Sequence, residues 1–231
     1  MAFCPPCGVD PRTLDEAVKP SAEADAATSE QSRLQQLAGA YLTILRAIGE
    51  DPDRKGIQDT PKRAAKAILA MTNGYATDPS SIGRDALFDV EDISEAPTSS
   101  LGMVLVRDIQ IHSLCEHHLL PFFGVAHIGY LPGAQVLGLS KLARIADAIA
   151  RRLQMQERVT QQLCDALMDV AEARGVAVVV ECTHMCMCSR GVKQTGTSTV
   201  TSATRGEFAT DRELRREFFA HVGRPAASSR L

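Results

Sequence analysis

The spacing of apolar residues changes along the chain, and each change marks a different kind of secondary structure. From Leu34 to Ile48 apolar side chains recur every three or four residues, which predicts an amphipathic helix that ends near Gly49. Thr60-Pro61 then fits the N-cap and first position of a second helix, and Asn73-Gly74 fits its end. Two helices therefore precede the extended part of the chain.

Beyond residue 100 the pattern becomes mostly extended. Helical periodicity interrupts it and predicts one helix capped by Ser140 and another over residues 157–174. A capping box, Thr210-x-x-Glu213, predicts a last short helix. Strand pairs that flank a helix pair favour an α+β fold with an antiparallel sheet. Alternating and β-branched residues predict the strands at residues 103–114, 124–131, 176–180 and 195–204.

The composition divides the chain into four segments. Residues 1–30 hold six acidic and two basic residues without apolar periodicity, which predicts a flexible acidic tail. Residues 31–100 are predicted to form an N-terminal helical region and an acidic linker, and residues 101–222 the domain that contains the sheet. Residues 223–231 are small and polar and are predicted to form a C-terminal tail.

The net charge of −3 conceals a mildly basic body, because much of the acid lies in the tail and in residues 78–95. Such a body suits an anionic small molecule but is too weakly basic for nucleic acid. No apolar run approaches the roughly 18 residues of a membrane span. The first residues resemble no secretory signal, so we expect a cytoplasmic protein with reduced thiols.

Two clusters of potential metal ligands each follow a predicted strand. Cys115 and His118 have the spacing that lets one turn present a thiolate and an imidazole to a single ion. Adding Cys186 gives three ligands, which is typical of a catalytic zinc site with a position left for water. Cys188 as a fourth ligand would close the site, or it simply packs.

The other cysteines have different contexts. Cys164 and Cys182 lie in apolar patterns and are predicted to be buried thiols. Cys4-Pro-Pro-Cys7 has redox spacing but lacks the βαβ context of a redox motif.

Basic residues cluster at three places. Ser140, Lys141 and Arg144 lie near a predicted helix N-terminus, where backbone N–H groups favour an anion. Arg190 follows the second cysteine cluster. Arg63 and Lys66 share one helix face, for which a solvated surface is the alternative to anion binding. No G-x-x-x-x-G-K-[ST] motif occurs, so a phosphate would need a clamp of such side chains.

Together these segments resemble GTP cyclohydrolase I. The resemblance covers roughly residues 31–220. Residues 131–145 and the His-Met-Cys-Met segment at 184–187 are more similar to the animal and fungal type than to short bacterial forms. It implies a zinc-dependent conversion of GTP and water to 7,8-dihydroneopterin triphosphate and formate, the first step of folate and tetrahydrobiopterin synthesis. The matching motifs are Thr60-Pro61-Lys62-Arg63, Cys-Glu-His-His (115–118), GYLPGAQVLGLSKLARI (129–145), QERVTQQ (156–162) and THMCMCSRGV (183–192).

The resemblance also implies a fold and an assembly. The family has the tunnelling fold, an antiparallel sheet with two helices on one face, here over residues 101–222. Its chains form a ring, with two pentamers in a decamer and active sites at subunit interfaces. The expected location is the cytoplasm, and in a eukaryote also the nucleus. A regulatory protein is a further possible partner.

Residue roles follow from the resemblance by position. It implies that Cys115, His118 and Cys186 hold one zinc ion per subunit. His117 is the acid/base group beside the metal, and His184 transfers a second proton. Glu157 holds the guanine edge with help from Gln156. The residues that face ribose and triphosphate are Ser140, Lys141, Arg144 and Arg190, with Arg63 and Lys66 from a neighbouring subunit.

Two alternatives stay open at this point. One is a non-enzymatic zinc protein with a closed Cys-His-Cys-Cys site. The other is a relative that binds GTP without opening its ring, against which the presence of His117, His184 and Arg190 counts. The sequence does not separate the folate pathway from the tetrahydrobiopterin pathway.

Overall fold

The computed structural model describes residues 30–93 and 101–223. The predicted acidic tail, apart from Glu30, and the C-terminal tail beyond Gly223 lie outside these residues. The chain divides into two compact units, residues 1–66 and 67–231. None of the described helices is long and apolar enough to cross a bilayer.

The first unit contains the helix α1 (Glu30–Ala47) and most of α2 (Thr60–Met71). Both helices were predicted, and Gly49 follows α1 with a φ of 84°, a conformation that glycine adopts without strain. Pro61 is the second helical residue of α2, where its missing N–H costs no hydrogen bond.

The second unit combines a sheet with helices, which confirms the predicted α+β class. The strands are β1 (Leu87–Asp89), β2 (Val104–Cys115), β3 (Pro121–Leu131), β4 (Gln135–Leu137), β5 (Leu153–Gln154), β6 (Gly175–His184) and β7 (Thr199–Gly206). The main sheet has five of these strands, in the order β5-β2-β3-β6-β7. The pairs β2–β3, β3–β6 and β6–β7 are antiparallel, and β5 adds a short parallel edge. The helices are α3 (Leu139–Ala150), α4 (Gln156–Val170), α5 (Met185–Cys188), α6 (Glu207–Thr210) and α7 (Arg212–Val222).

The sheet is covered differently on its two faces. Buried side chains of α3 and α4, such as Ile145 and Leu163, pack with Val178 of β6 in the main core. Successive residues of a strand point to opposite faces, so Val179 lies on the other side, where it packs with Phe208 and Phe218 of α6 and α7. The helix pair predicted between the strand pairs is therefore the layer that covers one face.

Three details differ from the sequence predictions. Ser140 does not cap α3, because Gly138 occupies the N-cap and the helix begins at Leu139. Thr210 does not cap the last helix. Asp211 does, since its carboxylate accepts hydrogen bonds from the N–H groups of Glu213 and Leu214. The strands β1, β4 and β5 were not predicted, because two or three residues carry no measurable period.

Gly124 of β3 is the register partner of Cys182 of β6, close to the ends of both strands. A Cβ atom at this position would lie 1.9 Å from the carbonyl oxygen of Glu181 and 2.7 Å from the Cα of Cys182. Because the obstruction is backbone, we expect Gly124→Ala to lower the free energy of unfolding by about 1–3 kcal/mol. Urea unfolding at one fixed protein concentration measures it. Gly196→Ala is the control, since a Cβ there meets no atom within 4 Å. Equal midpoints for both variants would contradict this packing.

Candidate metal centre and active site

The ends of two strands meet at one edge of the sheet. β2 and β6 are both antiparallel to β3, which lies between them, so they run in the same direction. Cys115 ends β2 and His184 ends β6, while Phe122 near the start of β3 is the register partner of His184. This topology brings together residues that are about 70 positions apart in the sequence.

Cys115, His118 and Cys186 form a cluster at this edge, with their ligand atoms all within 4.8 Å of one another. The turn after β2 accounts for the first two. The N–H groups of His118 and Leu119 donate to the carbonyl of Cys115, and Leu119 takes a positive φ of 54°. The Sγ of Cys115 then lies 3.5 Å from the Nδ1 of His118. Cys186 belongs to the single turn of α5 that follows β6.

The chemistry of this cluster fits a zinc ion. Two thiols and one imidazole are the soft and borderline donors that zinc prefers. Burial raises the pKa of the Cys186 thiol, and the neighbouring Cys115 raises it further. A cation between the two sulfurs would reverse both effects, because it stabilises the thiolates.

The remaining described cysteines lie outside the cluster. The Sγ of Cys188 donates to the carbonyl oxygen of Gln194 at 3.3 Å. Cys164 and Cys182 are buried, as predicted, and burial raises the pKa of each thiol to about 12. Cys4 and Cys7 lie outside the described residues. Within residues 30–93 and 101–223 the cluster therefore offers three potential metal ligands rather than four.

Two further side chains with predicted roles lie beside the cluster. His117 is exposed, with 60% of its side-chain surface accessible, and its ring lies edge-on to that of His118 with centroids 6.1 Å apart. Arg190 approaches from the segment after α5, and its Nη1 lies 3.5 Å from the Nε2 of His118. An exposed imidazole and a guanidinium group thus flank the three potential ligands.

Sequence reasoning missed a salt bridge that anchors this turn. Nη1 and Nη2 of Arg158 on α4 both donate to the carboxylate of Glu116, with Nη2 3.0 Å from Oε1. This pair holds the pKa of the Glu116 carboxyl below its usual range. The two residues are 42 positions apart, and no local pattern connects them.

We expect Arg158→Met to weaken metal binding about 10- to 100-fold, because the backbone between Cys115 and His118 loses its anchor. Competition with a zinc chelator measures the affinity. Arg205→Met is the matched control, since Arg205 pairs with Asp165 and Gln161 on the same helix α4 without touching the turn. Equal affinities for the two variants would show that the salt bridge does not support the site.

His184 is held by two neighbours. Its ring stacks on Phe122 with centroids 4.6 Å apart and an angle of 8° between the planes. Its Nε2 lies 2.8 Å from the Oε1 of Gln156. Burial lowers the pKa of His184, and the nearby carboxylate of Glu157 partly offsets that effect. Glu157 itself is exposed in the first turn of α4.

The predicted anion-binding residues of α3 line a separate cavity. Lys141 and Arg144 border a space of about 530 Å³, together with Asp85 and Asp147. The Nζ of Lys141 donates to Asp85 at 2.6 Å, which lowers the pKa of that carboxyl. Ser140 is exposed in the same first turn. No residue of the Cys-His-Cys cluster lines this cavity.

Arg63 and Lys66 are exposed on α2, in the first compact unit. Arg63 forms an ion pair with Asp59 one turn earlier, with Nη2 3.1 Å from Oδ2. Their assignment as phosphate contacts stays a prediction.

Comparison with known proteins points to one family. The family model for GTP cyclohydrolase I matches residues 37–223. GTP cyclohydrolase 1 of Saccharomyces cerevisiae is 52% identical over 84% of this chain and 77% of its own length. The enzyme of Rattus norvegicus is 48% identical over 93% of this chain and 84% of its own length.

Bacterial relatives are nearly as similar. GTP cyclohydrolase 1 of Chlorobaculum tepidum is 45% identical over 91% of this chain and 88% of its own length. These identities do not separate the animal and fungal type from the bacterial one, so the finer assignment stays a prediction. Among solved structures, an apo archaeosine synthase QueF-like protein aligns with 46% of this chain and 96% of its own at 16% identity, with a TM-score of 0.36 that supports no inference.

Proposed function

Because the chain belongs to the GTP cyclohydrolase I family of enzymes, we propose that it converts GTP and water to 7,8-dihydroneopterin triphosphate and formate with one zinc ion per subunit. The observation that carries this proposal is the Cys115, His118 and Cys186 cluster, whose three ligand atoms lie within 4.8 Å of one another. His117 and His184 lie at the same edge of the sheet. A zinc ion held there would supply Lewis acidity and an activated water.

His117 is the proposed proton donor for the purine. The C8 atom of guanine is a poor electrophile until N7 is protonated, and an exposed imidazole beside the metal ligands can deliver that proton. Water then adds to C8, and opening of the five-membered ring leads to the release of C8 as formate. The carboxylate of Glu157 would accept two N–H groups from the guanine edge, which adenine does not offer.

His184 is the proposed donor for the sugar. Opening of the ribose needs a proton on the ring oxygen. His184 is close enough to Glu157, in the first turn of α4, for the Glu157 carboxylate to raise the pKa of its imidazole. Ser140 is assigned to the ribose side of the site. An Amadori-type rearrangement followed by ring closure then builds the pterin.

The triphosphate would be held by cations from more than one chain. Arg190 belongs to the edge that carries the metal ligands, whereas Lys141 and Arg144 line a cavity without any of these ligands. This separation supports active sites that form between subunits, with Arg63 and Lys66 joining from a neighbour. We therefore propose a homo-oligomeric ring with the tunnelling fold, assembled as a decamer of two pentamers.

The cellular setting is also part of the proposal. The product would enter folate or tetrahydrobiopterin synthesis in the cytoplasm, with the nucleus as an additional location in a eukaryote. A regulatory protein partner is compatible with both pathways.

Zinc dependence is tested by metal removal and replacement. Protein treated with a chelator should lose GTP ring opening and regain it with zinc in proportion to the metal bound, while magnesium should not restore it. Metal content and pterin fluorescence after oxidation are measured on the same samples. Full activity in protein that contains less than one tenth of a zinc ion per chain would contradict the proposed cofactor.

A further inference from the structure

We propose that Gln156 is a positioning residue that fixes the orientation and the tautomer of the His184 imidazole, with Nε2–H donating to the Gln156 amide oxygen and Nδ1 left available to the substrate. This inference rests on the proposed role of His184 in proton transfer. It gives Gln156 a different task from the guanine contact that the family resemblance implies.

The orientation of the Gln156 amide follows from its surroundings. Its Nε2 lies 3.0 Å from the carbonyl oxygen of Val180 and 2.8 Å from that of Thr199. Carbonyl oxygens only accept hydrogen bonds, so the amide nitrogen must face them. The amide oxygen is therefore the atom that lies 2.8 Å from the Nε2 of His184.

The protonation of His184 follows from that orientation. An amide oxygen has no hydrogen to donate, so the hydrogen between the two residues belongs to the Nε2 of His184. The neutral ring then keeps its lone pair on Nδ1. Within residues 30–93 and 101–223, this Nδ1 has no hydrogen-bond partner. Nδ1 is thus the ring nitrogen that remains available to a ligand.

The Gln156 amide is rigid and has no spare polar atom for guanine. Only 1% of the residue is exposed, and the hydroxyl of Thr201 lies 3.2 Å from the Nε2 of Gln156. The Thr201 hydroxyl is in turn hydrogen-bonded at 2.6 Å to the hydroxyl of Thr160, which lies one turn after Gln156 on α4. Phe122 covers one face of the imidazole. Stacking on Phe122 therefore restricts the orientation of the His184 ring, and the hydrogen bond to Gln156 fixes its tautomer.

Kinetics of Gln156→Met separate positioning from guanine binding. Methionine keeps the volume but cannot accept a hydrogen bond, so we expect kcat to fall about 10- to 100-fold while KM for GTP and zinc content stay within twofold of the wild type. Gln162→Met is the matched control, because Gln162 lies on the same helix as Gln156 but accepts its side-chain hydrogen bond from Gln154 of β5 and not from His184. A rise in KM with unchanged kcat would overturn the positioning role.

A spectroscopic measurement keeps the proposal testable if the methionine variant fails to fold. Nitrogen NMR of wild-type protein labelled in the histidine rings reports which ring nitrogen carries the hydrogen, with His184 assigned by comparison with His184→Phe. We expect the Nε2-protonated tautomer, and the Nδ1-protonated tautomer would overturn the proposal. This measurement needs no turnover, so inactive protein would contradict the proposed function but leave the tautomer result independent of it.

Discussion

Replacing Cys186 with alanine should remove zinc and GTP ring opening together. Cys186 supplies one of three ligand atoms that lie within 4.8 Å of one another, and its loss leaves one thiol and one imidazole for the metal. Two ligands do not hold zinc in the manner of a catalytic site, which uses three. Loss of a partner outside the ligand set typically costs 10- to 100-fold, so we expect the loss of a ligand to exceed about 100-fold.

The chain offers a close control two residues away. Cys188 follows in the same short helix, but its Sγ donates to the carbonyl of Gln194 and it is not part of the cluster. Cys188→Ala should therefore retain zinc and activity. Metal analysis after gel filtration and a fluorescence assay of the oxidised pterin cover both variants. If Cys186→Ala kept both metal and turnover, or if Cys188→Ala lost both, the ligand assignment would be wrong.

The second large effect is expected at His117. Its side chain is exposed and adjacent in sequence to the ligand His118, but it is not one of the clustered ligands. We therefore expect His117→Ala to keep its zinc while kcat for ring opening falls about 100- to 10,000-fold, the usual contribution of a general acid.

Formate release and metal content of the His117→Ala variant are measured side by side. His112→Ala is the control, because His112 is also an exposed histidine, on β2 only three residues before the first ligand. A His117→Ala protein without zinc would indicate that His117 is a ligand. A rate close to the wild type would exclude it as the proton donor.

Local patterns in the sequence predicted the longer helices and strands but not the contacts between them. The periodicity of α4 and the β-branched run of β6 were sufficient to identify a helix and a strand. The β2–β3 and β6–β7 pairs could be predicted because the two strands of each pair follow one another in the sequence. The pairing of β3 with β6 joins residues more than 40 positions apart, and no local signal encodes it.

The candidate site shows the same division. Cys115 and His118 were recognisable because one turn carries both, and Cys186 because it follows a strand end. The partners that hold such residues in place were not recognisable. Arg158 reaches Glu116 across 42 positions, and Gln156 reaches His184 across 28. These contacts depend on how α4 packs against the sheet, which apolar spacing alone does not determine.

The most direct test of the proposed reaction follows the fate of one carbon atom. Purified, zinc-loaded protein is incubated with GTP that carries an isotopic label at C8, and formate and pterin are quantified together. Our account predicts that all of the label appears in formate, with one formate for each 7,8-dihydroneopterin triphosphate and no label left in the pterin. Fully metal-loaded protein that releases no labelled formate, or a pterin that retains the C8 label, would contradict it.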